Sequence, residues 1–252
     1  DINNNVIKSA GAEFFGSPGI QTYYTQNVTI KNNYLASLPY SGIAQGWGWD
    51  SNWDPSNTAE HSASPSHSNR IIKNKIIDVS QRNRDGGGIY TLGHNHNSVI
   101  QGNYILNQQN DYGAIYNDDG SKCYTVSDNV SENVPGWLYH WKDSIQYITA
   151  FQNFSTTKND FVGLRSKNSK IESVTLFKGK EKPKAVMQII ERAGLENKEK
   201  EPKYCNLNLY PVFSEADSIE TAVNTPVTLI ADLKRSGTQA IYQWRAISGG
   251  EM

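Results

Sequence analysis

The sequence predicts an all-β chain wound as a right-handed parallel β-helix, and three observations predict it. Motifs repeat at a near-constant offset, each copy holds short apolar strands bounded by turn residues, and no copy is long enough to bury a face alone. Asp85-Gly86-Gly87-Gly88-Ile89-Tyr90 returns as Asp111-Tyr112-Gly113-Ala114-Ile115-Tyr116. The offset is roughly 26 residues, a spacing that implies stacking. Residues 97–103 return more loosely as 122–129.

Two strand signatures carry the repeat along the chain. The first closes on an asparagine that usually precedes an aromatic or aliphatic residue, and recurs around Asn5, Asn33, Asn74, Asn103, Asn129 and Asn153, at spacings of roughly 28, 42, 28, 26 and 24 residues. One coil therefore holds an insertion of about 15 residues. Asparagine at a strand end tolerates left-handed backbone and can hydrogen-bond a neighbouring turn, which accounts for its recurrence. The second signature usually sets a small residue before an apolar one, at Ile20, Ile43, Ile89, Ile115, Leu138 and Leu164. Six coils result, and crossovers between parallel strands favour the right hand.

The insertion, 45–67, contains Trp47, Trp49 and Trp53 ahead of a Ser/Pro/His-rich stretch. A loop of that length is usually functional. It is expected to fold over the site and supply an aromatic wall for a sugar ring, or alternatively to pack on the helix wall. The repeat fades after Phe154, with one more coil over 161–177, so the β-helix spans 1–180. Residues 184–195 read as a short amphipathic helix ended by Gly194, and 181–204 as helix plus charged linker. Residues 205–252 return to β-like alternation and resemble the start of a small immunoglobulin-like sandwich, as though cut short.

Composition removes several function classes. The formal net charge of −1 gives no bulk attraction for nucleic acid or an anionic membrane. No run approaches the roughly 20 apolar residues of a membrane span. Cys123 and Cys205 lie far apart without metal-like spacing and read as free, partly buried thiols. The first residues look like the middle of a repeat, so the chain is expected to be a mature or trimmed piece, and the lack of a leader says little about location.

The chemistry concentrates between Asp85 and Trp141. With Ile89, Ile115 and Leu138 turned inward, alternation sends Tyr90, Tyr116 and Tyr139 outward as a ladder. Leu92, Asp118 and Trp141 follow on the same face, while Asp85 and Asp111 form a second column. Paired carboxylates beside a groove are what glycoside hydrolysis uses, one as acid and one as nucleophile or base. The expected catalytic acids are Asp85, Asp118 and Asp119. On a straight strand Asp85 and Asp118 would lie about 20 Å apart, so the pair requires a sharp bend, expected at the glycine run. Substrate contacts are expected from Trp47, Trp49, Tyr90, His94, Asp111, Tyr116, His140 and Trp141. His140 alternatively closes a polar column with Thr91 and Asn117. Calcium on Asp85, Asp118 and Asp119 is the competing use of the acids, without a recognisable ligand order. His94 and His96 lack a third ligand in the sequence and read as exposed loop residues, so no metal site or cofactor is expected.

These stretches also resemble a family. DGGGIYTLG, VIQGNYI and AIYNDDGS are similar to motifs of the pectate-lyase-like β-helix glycoside hydrolases of gut and soil bacteria, above all the group with α-L-fucosidase and xylanase activity on plant glycans. The resemblance runs from Asn3 to about Phe154 and returns at Ala193-Gly194-Leu195. It implies a secreted, periplasmic or cell-surface enzyme, a carbohydrate substrate, and catalytic acids at Asp85 and Asp118; a monomer is expected. Asp119 departs from the Glu usual there, and the connection between the motifs is shorter. A polysaccharide lyase using Lys142, Arg82 or Arg84 as base, and a non-catalytic glycan-binding β-helix, are the alternatives.

Overall fold

The computed structural model describes residues 1–48, 66–161, 166–178 and 181–203, with the backbone of Val212–Phe213 and Ala231–Asp232. The chain divides into two compact units, Asp1–Tyr210 and Pro211–Met252. The first is a parallel β-solenoid of about six turns. Within the second, the described strands pair antiparallel. The remainder of the expected sandwich lies outside the described residues.

Three parallel sheets form the solenoid walls. One stacks Ile2–Asn3, Thr29–Lys31, Arg70–Ile72, His94–Gln101 and Lys122–Ser127, with short strands beyond. The second stacks Val6–Lys8, Tyr34–Ala36, Lys75–Val79, Tyr104–Gln108, Val130–Glu132, Phe154–Ser155 and Thr175–Leu176. The third stacks Ile20–Thr22, Ile43–Gln45, Ile89–Thr91, Gly113–Asn117, Gly136–His140 and Asp160–Phe161.

Identical columns of side chains fill the interior. Ile20, Ile43, Ile89, Ile115 and Leu138 pair in register, and each is buried. Ile30, Ile71, Ile100, Val126 and Ala150 form the column of the first sheet. Fully burying one such aliphatic side chain stabilises by roughly 1.5–3 kcal/mol. The inward pivots expected from the repeat are therefore in place. Leu164 falls outside the described residues.

The asparagines do more than tolerate a turn. Asn5, Asn33, Asn74, Asn103 and Asn129 each donate their side-chain amide to the carbonyl oxygen of the asparagine one coil on, at 2.9–3.0 Å. The backbone N–H of each donates to the same oxygen. Successive rungs are 28, 41, 29, 26 and 24 residues apart, the 41 carrying the insertion. The left-handed geometry expected of these asparagines belongs instead to the residue before each one. Asn4, Asn32, Lys73, Gly102, Asp128 and Gln152 all have φ between 52° and 66°. That residue turns the chain so that the next can point its amide down the stack.

The helix runs Lys184–Arg192, and Gly194, with φ 87°, follows its extended cap Ala193. Its apolar side covers the outer face of the second sheet through Val186 and Ala193, which pack with Tyr104, Val130 and Phe177. Residues 49–65 of the insertion, with Trp49 and Trp53, lie outside the described residues. The chain is back in register at His67, which bridges Gln26 and His96.

Asn103 is fully buried, and removal of its side chain would leave the backbone N–H of Asn74 without its partner and take a donor from both Asn129 and the Ile71 carbonyl. Buried groups left unsatisfied cost about 1–3 kcal/mol each. Asn103→Ala should therefore lower unfolding free energy by about 3 kcal/mol or more in urea titrations, and Asn5→Ala, at the exposed end, by less than about 1 kcal/mol. Equal losses would show that the ladder does not carry coil stability.

Candidate active site

The outer face of the third sheet gathers the acids. Asp118 follows strand Gly113–Asn117, is held by its N–H to the Thr91 carbonyl at 2.9 Å, and is only 8% exposed. Asp85 precedes the glycine run and is exposed. The bend that brings it round is at Asp85 itself, whose φ is 58°. None of Gly86, Gly87 and Gly88 has positive φ, so glycine's conformational freedom is not what makes the bend. Their role is close approach. A Cβ on Gly86 would lie 2.5 Å from Ser41 Oγ, one on Gly87 2.6 Å from the Gly113 carbonyl, and one on Gly88 2.7 Å from Ile105 Cγ2.

Side chains from neighbouring coils pin this corner. Gln108 accepts from the Gly88 N–H at 2.8 Å, and Asn110 donates to the Gly86 carbonyl at 2.7 Å. The Tyr40 hydroxyl donates to the Asp85 carbonyl at 2.7 Å.

The tyrosine ladder joins the two acids. Tyr90 donates its hydroxyl to Asp118 Oδ2 at 2.5 Å. The Tyr116 hydroxyl lies 3.0 Å from Asp85 Oδ1 and 3.2 Å from Asp118 Oδ1. Both contacts share one phenolic oxygen, so the two carboxylate oxygens lie no more than about 6 Å apart. The straight-strand separation of about 20 Å is removed by the turn at Asp85.

Burial raises the Asp118 pKa, and the Asp85 charge pushes the same way against the hydrogen bonds from Tyr90 and Tyr116. Burial raises Tyr90 and Tyr116 as well, so both stay protonated and donate. Tyr40 is pushed up to about 12 by burial and the nearby Asp85 charge.

The remaining candidates divide. Burial pushes Asp119 up, but hydrogen bonds from Ser144 at 2.5 Å and Lys142 at 2.9 Å outweigh it and hold the carboxyl below its ordinary range. Asp119 is thereby occupied in a turn, away from the Tyr116 bridge. Asp111 is exposed and ion-paired with Arg84. Tyr139 meets Tyr116 and Tyr112 edge to face, with ring centroids 4.9 and 5.0 Å apart, and Trp141, 41% exposed, stacks on Tyr139 to continue the shelf.

Trp47 sits edge-on to Tyr23 of the neighbouring coil at 5.0 Å, and its backbone carbonyl borders Gly93. His140 is fully buried in register with Asn117 and Thr91, and burial lowers its pKa to about 3. It offers no surface to a substrate and fills the polar-column role instead. His94 and His96 are not loop residues, because both belong to strand His94–Gln101, and His94 is buried.

Tyr40, Tyr112, Gln108 and Asn110 were missed as site residues. Tyr40 and Tyr112 each lie three positions before a pivot, Ile43 and Ile115, so the repeat register itself would have placed them beside Gly86. Gln108 and Asn110 reach the glycine run from the preceding corner, and nothing in the repeat marks them.

Asp118 has a raised folded-state pKa, so its contribution to stability is present at low pH and is lost as pH rises through that value. Melting temperature should fall as pH rises above the ordinary carboxyl value of 3.8, and this component should be absent in Asp118→Asn. Identical pH–melting profiles for the two proteins would contradict the assignment.

No protein-family model matches the chain, and no curated protein matches it. A solved structure named "Glycoside hydrolase" superposes with a TM-score of 0.51 at 24% sequence identity, over 79% of this chain. The chain spans 28% of that structure's length. The likeness is one of fold alone.

Proposed function

We propose that the chain is a glycoside hydrolase acting on an oligosaccharide or polysaccharide, with Asp118 as general acid and Asp85 as nucleophile. The observation that carries this is the Tyr116 hydroxyl set between two carboxylates. One hydroxyl proton can serve only one of two ionised acids. A proton held on Asp118 resolves the conflict, since Asp118 can then donate to Tyr116 while Tyr116 donates to Asp85. Burial of Asp118 favours the same state.

The shared Tyr116 hydroxyl keeps the facing oxygens of the two acids within about 6 Å, and so close an approach favours retention, at roughly 5–5.5 Å, over the roughly 6.5–9.5 Å of inverting enzymes. Asp118 would protonate the departing glycosidic oxygen while Asp85 attacks the anomeric carbon to form a glycosyl ester. Asp118, now ionised, would take a proton from water, whose oxygen displaces Asp85. Tyr139 and Trp141 offer an aromatic shelf for a sugar face.

The finer reading, of α-L-fucosidase or xylanase type on plant cell-wall glycans by a secreted, periplasmic or cell-surface monomer, rests on the motif resemblance. The lyase alternative is weakened by its candidate bases. Lys142 and Arg84 are ion-paired to Asp119 and Asp111, and the Asp119 contact raises the Lys142 pKa, the wrong direction for a base.

Hydrolysis of a panel of plant glycans tests the proposal. Asp85→Asn and Asp118→Asn should each remove most turnover, and Tyr116→Phe should lower it by about 10- to 100-fold. Near-normal activity in both Asn variants would sink the acid pair. A product absorbing in the ultraviolet as an unsaturated uronide would select the lyase. Glycan binding with no turnover in any variant would select a binding module.

A further inference from the structure

We propose that His94, His96 and Cys123 form a binding site for a borderline-soft divalent cation of the zinc class. One ligating atom from each residue lies within 4.8 Å of the others, and the three come from adjacent coils. Two imidazoles and a thiol suit zinc, which favours nitrogen and sulfur, and not calcium or magnesium, which favour oxygen. The sequence concealed this because the third ligand is on the next turn of the solenoid and not beside the histidines.

The backbone is irregular where these residues meet. His94 pairs with Lys122 and Ser98 with Tyr124, so four steps along one strand match two along its neighbour. Asn97 within this bulge has φ 57°, and Cys123 opposite it has φ 65°. Left-handed backbone at a cysteine is uncommon. Bulges re-aim side chains, and strain of this kind collects at functional sites. Here the two distortions coincide with convergence of the imidazoles and the thiol. His94 is buried while His96 and Cys123 are half-buried, so an ion could enter from solvent.

The site is separate from the acid pair. Cys123 follows Asp118 by one turn and the start of the next strand, and lies on the first sheet with His94 and His96, whereas Asp118 comes just after a strand of the third. A bound cation would clip two coils together just beyond that corner, with a fourth position open to water. The ligating form of cysteine is the thiolate, so binding would displace the thiol proton.

Cobalt(II) titration of the whole chain is the test, because cobalt reports its ligands optically. The expected result is one equivalent bound, a thiolate-to-cobalt charge-transfer band in the near ultraviolet, displacement of the band by zinc, and a zinc-dependent rise in melting temperature. Cys123→Ser should abolish the band, His96→Ala should weaken zinc binding at least tenfold, and Cys205→Ser should leave both unchanged. Far-ultraviolet circular dichroism verifies that each variant keeps its β signature. Absence of the band and of any zinc effect in the unmodified chain would overturn the proposal. So would a folded Cys123→Ser variant that binds zinc as tightly as the unmodified chain, or loss of the band in Cys205→Ser alone.

Discussion

The buried asparagine ladder is the interaction on which the rest depends. A parallel solenoid must turn its chain three times per coil, and each turn leaves amides and carbonyls that no sheet satisfies. At one corner the ladder supplies these partners, because every rung satisfies the backbone N–H of its predecessor. Each amide also donates to a strand carbonyl, as Asn103 does to Ile71 at 2.9 Å and Asn129 to Ile100 at 3.0 Å. Corner geometry is therefore copied from coil to coil. Columns such as Ile30, Ile71 and Ile100 can then coincide instead of drifting out of register.

The candidate acids inherit their positions from that copying. Asp118 and Asp85 belong to neighbouring coils whose strands are locked at Ile115 and Ile89. With the strands fixed, Gln108, Asn110 and Tyr40 hold the approach to the glycine run. Tyr116 is fully buried although it points away from the interior, since Tyr112 and Tyr139 cover it. A covered hydroxyl between two acids has no water to replace either partner. Its contacts therefore act in a lower dielectric than an exposed tyrosine would meet.

What could be read from the sequence follows the same physics. Periodicity exposed the pivots, the tyrosine ladder and the helix ended near Gly194, because each depends on neighbours at constant offsets. It also brought out Asp85 and Asp118, though not how the chain joins them. The left-handed turn falls on Asp85, which the repeat does not mark, and the glycines after it serve tight packing instead of the bend. The histidines were misplaced for a related reason. A bulge changes the count between coils, so Cys123 and His96 cannot be aligned by period.

The helix has a mechanical consequence for such a stack. In a solenoid each coil contacts only its neighbours, so unfolding can begin anywhere and spread as a moving boundary. Lys184–Arg192 and the residues after it cross that logic. Asn32 donates to the Arg192 and Gly194 carbonyls, the Gly194 N–H donates to Lys73, and Val186 and Ala193 share a cluster with Tyr104, Val130 and Phe177, against which Phe154 also packs. These partners come from six successive coils. The segment is a longitudinal splint, linking turns that would otherwise peel away singly and making the wall opposite the acids shear as one plate.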